Sequence, residues 1–446
     1  MFSDLVQGRL RPDDIGPAEY HSLRAWLYIT QRRAAEKLRQ EAQGRSGTRA
    51  KRALRSYRTQ GAVILWALLA RTPDEFRLPR DHPDHHQRLQ SFLAEALEVM
   101  PSLRNLQQIP TGMLAAKPKP DGKSRPIIEY EWPQQAKFRL LASSLEPLVG
   151  FHASQFLYQE NRGQRGLQAA YEALRDALRD VAGEAADYAF AELDIRDCFG
   201  SISEEWWAAQ PLLDNDMKVQ AYVGRHRVII PNRARARLGA ATELSVRRGF
   251  PQGSALSALL SEWVIADVLR GLSVPCGVYL FTYCDNIGVL APRAQLGAIK
   301  ELIRGVFASS GAGCFSLQDK TRMTPADRPI RFLGMEFQVE ASEVRVAPPD
   351  FKRADLENTL LGDLAVAGSE KAFADLRGRA SSAAANWRLW DGSEAWLESQ
   401  QTRISLERSR WRGLPRAASS GSMVEVVEQG LKPSNLGVGE TAETMG

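Results

Sequence analysis

Along the first hundred residues the apolar positions recur every three or four places. Leu23, Trp26, Leu27 and Ile29, then Val63, Leu65, Trp66 and Leu69, fall on helical faces, with GRSGTR at 44–49 reading as the loop between them. From Thr111 the pattern shortens into GMLAAKPKPDGKSRPIIEY, where Pro120-Asp121-Gly122 has turn chemistry and the flanks predict a paired hairpin. Residues 134–179 return to helical spacing. Three strand-like runs follow: YAFAELDI at 188–195, VYLFTY with IGVLA at 278–291, and IRFLGMEFQV at 330–339. Helical segments separate them, so the pattern predicts α+β layers rather than a regular βαβ wind. No internal repeat is visible. Beyond Pro348 the chain reads as helix again, rich in Trp and Arg. Past Gly413 it holds few apolar residues, and a disordered tail is expected there.

Composition changes this picture mainly through the placement of charge. The chain has 446 residues, 44% of them hydrophobic, enough for two or three packed units. Lys and Arg outnumber Asp and Glu by only 58 to 53, but the excess is local. Residues 24–58 hold eleven basic side chains against Glu36 and Glu41, and 225–248 hold seven arginines against Glu243. Two such runs suit a polyanionic partner, whereas either alone reads equally well as a solvated face. Four cysteines (Cys198, Cys276, Cys284, Cys314) form no C-x-x-C pair and are expected to be reduced thiols, three of them acting as small hydrophobes, in a cytoplasmic protein. No signal-peptide pattern and no long apolar run argues for secretion or a membrane. DHPDHH at 81–86 has metal-ligand residue types, but Pro83 and the lack of a second ligand group assign it to a loop.

The candidate chemistry lies at two aspartates. Asp194 closes an apolar strand, and Asp285 lies between two apolar halves where a hairpin must turn, so both carboxylates can stand at strand ends. Singly, each reads as readily as a cap or turn residue. Their surroundings decide between the readings. LDIRDCFGSI, RRGFPQGSALSALLS, YCDN, QDKT and RFLGMEF, in that order, resemble motifs A to E of the reverse transcriptase palm. KPKPDGKSRPI resembles the family's fingers hairpin, and NRGQRG at 161–166 sits where bacterial members have a Gly- and Arg-containing turn. The resemblance covers roughly residues 111–339.

It implies an α+β right-hand polymerase: fingers, a palm of antiparallel sheet with packed helices, and a helical thumb. The expected regions are a basic helical region at 1–104, fingers at 105–185, palm at 186–345 with a basic finger-like insertion at 212–245, thumb at 346–413 and the tail at 414–446. By the same resemblance Asp194, Asp285 and the Ile195 carbonyl hold Mg²⁺, or Mn²⁺, for two-metal phosphoryl transfer. Phe199, five residues after Asp194, packs under the sugar and excludes a 2′-hydroxyl. Gln252 and Gly253 let the backbone approach the dNTP, Gly249 serving the same turn. Arg125, with Lys119, Lys117 or Lys123, clamps the triphosphate, and Lys320 donates a proton to pyrophosphate. Where the family usually has two adjacent aspartates this chain has Asp285-Asn286, which puts metal affinity and rate in question rather than the fold.

The implied partners are an RNA template or structured non-coding RNA, a DNA product and dNTPs, with no membrane. A V-T-G in the thumb and an upstream N-A-x-x-H, which mark retron enzymes, are missing, as is the Cys/His pattern of group II intron proteins. The expectation is therefore a bacterial enzyme of the unclassified, defence-associated group. Template-independent or protein-primed DNA synthesis, and a catalytically silent RNA-binding scaffold, are the alternatives.

Overall fold

The computed structural model describes residues 1–43, 47–73, 76, 82–119, 122, 124–158, 165–239, 247–341 and 343–413. The tail at 414–446, Lys123, residues 240–246 and parts of the GRSGTR, DHPDHH and NRGQRG segments lie outside the described residues.

Ten strands are described: β1 (Thr111–Pro118), β2 (Ser124–Tyr130), β3 (Tyr188–Arg196), β4 (Arg227–Ile229), β5 (Tyr279–Tyr283), β6 (Asn286–Pro292), β7 (Ser316–Pro325), β8 (Ile330–Phe332), β9 (Met335–Glu340) and β10 (Glu343–Ala347). They form three sheets, ordered β2-β1-β4, β5-β6-β3-β7 and β10-β9-β8. The four-stranded sheet is antiparallel throughout and carries the site.

Alternation along β3 explains how that sheet is held. Ala189, Ala191, Leu193 and Ile195 point one way and are at most 1% exposed, as are their β6 counterparts Ile287, Val289 and Ala291. They join the main core together with apolar residues of the helices Ala255–Leu269 and Arg293–Ala308. Each such Leu, Ile or Val side chain contributes about 1.5–3 kcal/mol of hydrophobic stabilisation and each alanine less, so this face fixes the register. The opposite face is divided along its length. Phe190 and Leu290 enter a second core with Phe281, Phe332, Phe337 and the helix Leu167–Asp180. Further along the same face stand Glu192, Asp194 and Asn286. Apolar packing thus anchors one end of the face and leaves the other for polar groups.

Several elements differ from the sequence expectation. The stretch at 134–179 is not one helical run: helices Trp132–Leu145 and Leu167–Asp180 are separated by a short 3₁₀ turn and irregular chain. The run at 330–339 is a tight hairpin, because Leu333 and Gly334 take positive φ (49° and 93°) and turn β8 back onto β9. β7, mostly polar, gives no apolar alternation to read, yet it pairs with β3. Within the expected insertion at 212–245, the described residues 212–239 make contacts with the rest of the chain. β4 pairs in parallel with β1, and Asp214 holds the buried Arg58 at 2.7 Å. Of the cysteines only Cys198 is buried; Cys276 and Cys314 are exposed, so they do not act as small core hydrophobes. All four are free thiols.

The N-terminal helices share a continuous core with the β1–β2 hairpin and the four-stranded sheet. The C-terminal helices Asp350–Ala365, Glu370–Asn386 and Ser393–Gly413 have a separate small core around Phe373, Leu376 and Trp396. Their Trp and Arg side chains are largely spent internally: Trp387 and Trp396 pack edge to face at 4.9 Å, and Glu370 accepts from both Arg408 and Arg412. Among the described residues, no helix is long and apolar enough to cross a membrane.

Candidate active site

Two strand ends build the site. Asp194 of β3 lies directly opposite Asn286, the first residue of β6, and Asp285 occupies the two-residue turn joining β5 to β6. Cys284, the other turn residue, has φ 54°, a left-handed conformation costly for a residue with a Cβ. The turn is tied to β3 by the Ile195 N–H, which donates to the Asp285 carbonyl at 2.9 Å. The carboxylate-bearing residues are thus coupled through backbone as well as by side chains.

Lys320 enters from β7 at a bulge. The pairing with β3 shifts by one residue between Glu192 and Leu193, leaving Lys320 as the extra residue. Bulges often re-aim side chains beside active sites. Here the Lys320 ammonium contacts Asp194 Oδ1 at 2.9 Å, Glu192 Oε1 at 3.8 Å and the Asn286 amide oxygen. Gln318, opposite Asp194, donates to its Oδ2 at 2.9 Å. The Asn286 amide nitrogen donates to Asp285 Oδ1 (2.9 Å) and the Tyr283 carbonyl (3.2 Å), which leaves its oxygen turned toward Lys320. That orientation follows from the hydrogen-bond partners.

The electrostatics follow from crowding. Burial, then the neighbouring Asp194 charge, raises Asp285 above the usual carboxylate range, while Lys320 and Arg125 oppose the rise. Burial likewise raises Glu192, partly offset by Lys320. For Lys320 burial disfavours the ammonium, but the hydrogen bond and charge of Asp194, with Glu192 and Asp285, outweigh it and raise the group. The cluster therefore has an excess of acidic groups that one ammonium only partly balances.

A second constellation lies alongside. Phe199, half-buried, lines a cavity with Pro126, Ile128, Arg248 and Gln252. Two glycines shape its wall. At Gly249 (φ 64°) a Cβ would lie 1.7 Å from the Phe199 carbonyl oxygen, and at Gly253 (φ 108°) one would lie 2.5 Å from that of Ile128. The Phe250 N–H donates to the Phe199 carbonyl and the Ile128 N–H to the Gln252 carbonyl, joining this wall to β2 and to the loop after β3.

The expected phosphate-binding residues are less convergent. Arg125 is exposed on β2, and its charge reaches Asp285. Lys117, opposite it, pairs with Glu129 at 2.5 Å. Lys119 lies past the end of β1 and is not brought to the carboxylates.

Three residues here escaped the sequence reading. Glu192 shares its strand face with Asp194 two residues on, and period-two spacing could have revealed it. Glu262, a fully buried acid in an otherwise largely apolar helix, was marked by that anomaly. Gln318, in a polar strand, carried no signal.

A four-stranded antiparallel palm with paired carboxylates at its strand ends, a hairpin over it and a helical bundle beyond defines a right-hand polymerase. Residues 117–337 match the family model described as reverse transcriptase (RNA-dependent DNA polymerase). The chain therefore carries a reverse transcriptase domain and is an RNA-directed DNA polymerase, a nucleotidyltransferase. Among solved structures it is similar to one described as apo telomerase from Candida Tropicalis truncated from C-terminal domain. The identity is 10% and the TM-score 0.35, over 59% of this chain and 68% of that chain, too slight a likeness to carry an argument. No curated protein matches the chain.

Proposed function

We propose that the enzyme copies RNA by two-metal transfer of dNTPs to a 3′-hydroxyl. The observation that supports this best is the meeting of Asp194, Asp285 and Asn286 at the joined ends of β3 and β6, with Lys320 among them. The donors fit a hard divalent cation: all are oxygens, and two of them, Asp194 Oδ1 and the Asn286 amide oxygen, already draw an ammonium. Among the described residues no group of three His, Cys, Asp or Glu side chains could hold a metal ion. Mg²⁺ keeps several waters and shares ligands with substrate phosphates, so it takes few protein donors.

Asp194, Asp285 and the Ile195 carbonyl would hold Mg²⁺, or Mn²⁺, and the bound ions supply Lewis-acid activation of the hydroxyl and neutralise charge at the leaving pyrophosphate. The residues of the chain do the rest. Lys320, kept protonated by its carboxylate neighbours, is set to give a proton to the departing pyrophosphate. Arg125, aided by Lys119, binds the triphosphate by charge-assisted hydrogen bonds. Phe199 fills the space a 2′-hydroxyl needs, while Gln252 and Gly253 bring the backbone close to the sugar.

The N-terminal helices would bind structured RNA. Helices Pro17–Gln43 and Gly47–Thr59 border an open cleft of about 780 Å³ lined by Trp26, Arg33, Lys37 and Tyr57. Arg49, Lys51, Arg52 and Arg55 stand exposed on the second helix, and an exposed Trp beside basic side chains suits phosphate and base together. The lack of retron and group II intron signatures supports a place among defence-associated bacterial enzymes.

The test is primer extension on an RNA template with Mg²⁺. Asp285→Ala should lose about a thousandfold or more in rate. Wild-type dNTP incorporation by that variant would end this reading.

A further inference from the structure

Glu262 is fully buried on the helix Ala255–Leu269, and among the described residues the donors to its carboxyl group are neutral N–H groups. Burial of that kind is costly for an acid unless its oxygens are used. Here both are. Glu262 Oε1 accepts from the Cys284 N–H at 2.7 Å, and Oε2 accepts from Gln155 Nε2 at 2.7 Å.

Gln155 is also fully buried, and its orientation is fixed from the backbone. Its Nε2 donates to the Glu262 carbonyl at 2.8 Å, and its Oε1 accepts from the His152 N–H at 2.7 Å. The segment carrying Gln155 is itself attached to β5: the Thr282 N–H donates to the Ser154 carbonyl, and the Phe156 N–H to the Thr282 carbonyl. A continuous chain of hydrogen bonds thus runs from the 152–156 segment through Gln155 and Glu262 to the turn that carries Asp285.

The point of attachment is significant. Cys284 holds the left-handed conformation that lets β5 reverse into β6, and in such a turn its N–H points out of the ladder. Without an acceptor this part-buried donor would lose its partner, and the turn would relax toward a conformation that suits Cys284 better. Relaxation would move Asp285, the next residue, relative to Asp194. We propose that Glu262 is a positioning residue for the polymerase reaction, holding the Asp285 turn in its strained form through the Cys284 N–H. This rests on the active-site reading above. Burial pushes the Glu262 carboxyl up to about 8, against the two N–H donors. An acceptor oxygen for Cys284 is present in either protonation state.

The decisive comparison is Glu262→Ala with Glu262→Gln, beside Asp285→Ala, in primer extension. The alanine variant, folded by circular dichroism, should lose about tenfold or more in kcat with the dNTP KM nearly unchanged, because the nucleotide wall is untouched. Its Cys284 amide should also lose protection in hydrogen exchange. The glutamine variant keeps an oxygen for the Cys284 N–H, although its own amide nitrogen then faces Gln155 Nε2, and it should retain the protection and clearly more turnover than the alanine variant. Wild-type kcat in the alanine variant, or a glutamine variant as slow as the alanine one, would overturn the proposal. If Glu262→Ala does not fold, Gln155→Leu replaces it: this frees the carboxyl from its second anchor and should lower kcat, and an unchanged kcat would overturn the idea. Activity in Asp285→Ala would instead count against the active-site reading itself.

Discussion

The palm face and the N-terminal helices both gather charge, but they do so in opposite ways. On β3, β6 and β7 a few groups are bonded to one another, Asp194 and Asn286 half-buried and Lys320 at the exposed rim, so that each has a definite partner. On the helix Gly47–Thr59 the basic side chains other than Arg58 are exposed, and each of these is nearly equivalent to the next. In the first region position carries the chemistry; in the second only the sum of charge does. A single atom moved in the palm is felt because low dielectric and fixed geometry amplify it. A single arginine lost from the helix is diluted by solvent and salt.

The contrast breaks most visibly if the helix charge is reversed as a block. Arg49→Glu, Lys51→Glu, Arg52→Glu and Arg55→Glu together should weaken RNA binding by roughly a hundredfold at low salt, and flatten the plot of log affinity against log salt by up to about three units. Filter binding across a salt series measures both. Unchanged affinity would make the helix a solvated face, while any one of the four substitutions alone should have little effect.

Within the palm, Phe199→Val should lower the ratio of dNTP to rNTP kcat/KM by about ten- to a hundredfold, with dNTP use still measurable. A ratio that does not move would mean that Phe199 merely completes the core against which it is also packed. Asn286 should give a smaller effect. Its neutral oxygen helps less than a carboxylate in stripping water from Mg²⁺, so Mn²⁺ should support a few-fold faster synthesis. Asn286→Asp should narrow that difference, although it removes the amide donor to Asp285 and sets two carboxylates side by side. Equal rates with both metals in the wild type would remove this account.

A further test concerns stability. The Glu262 carboxyl titrates near 8 in the fold against an ordinary value of 4.5. Between those values the unfolded chain has released a proton that the fold retains, so this group makes stability fall as pH rises through that window. Glu262→Gln should flatten the decline in Tm from pH 5 to 8. A wild-type Tm that does not fall on account of this residue would show that the two N–H donors, rather than burial, set its charge.

Much of the site was legible from residues 111–339. Asp194 and Asp285 announce themselves as polar residues ending apolar strands, and Gly249 and Gly253 as glycines in a turn; Asp285 stands in the turn and both glycines take positive φ, while β3 runs two residues past Asp194 to Arg196. The helical C-terminal region was legible too, although its Trp and Arg side chains could not be assigned without knowing their neighbours. Other features were opaque for definite reasons. A polar strand such as β7 has no apolar alternation because its partners, rather than a core, determine its place. The hairpin at 330–339 looks continuous because Leu333 is an apolar residue in a left-handed turn. Basic residues count alike in a sequence, yet Arg58 is buried against Asp214 while Arg55 is exposed.

The sequence by itself determined which residues could be buried, where the apolar strands and most of the helices form, and that two carboxylates would lie near the ends of apolar strands, because these depend on spacing along the chain. Only the tertiary structure decided that Lys320 would enter the carboxylate cluster through a bulge, that the Asn286 oxygen would face it, and that Glu262 would reach across from a distant helix to the Cys284 N–H. Those contacts join residues separated by 22 to 126 positions (Glu262 to Cys284, Asp194 to Lys320), and their energies depend on the burial and orientation that packing alone creates.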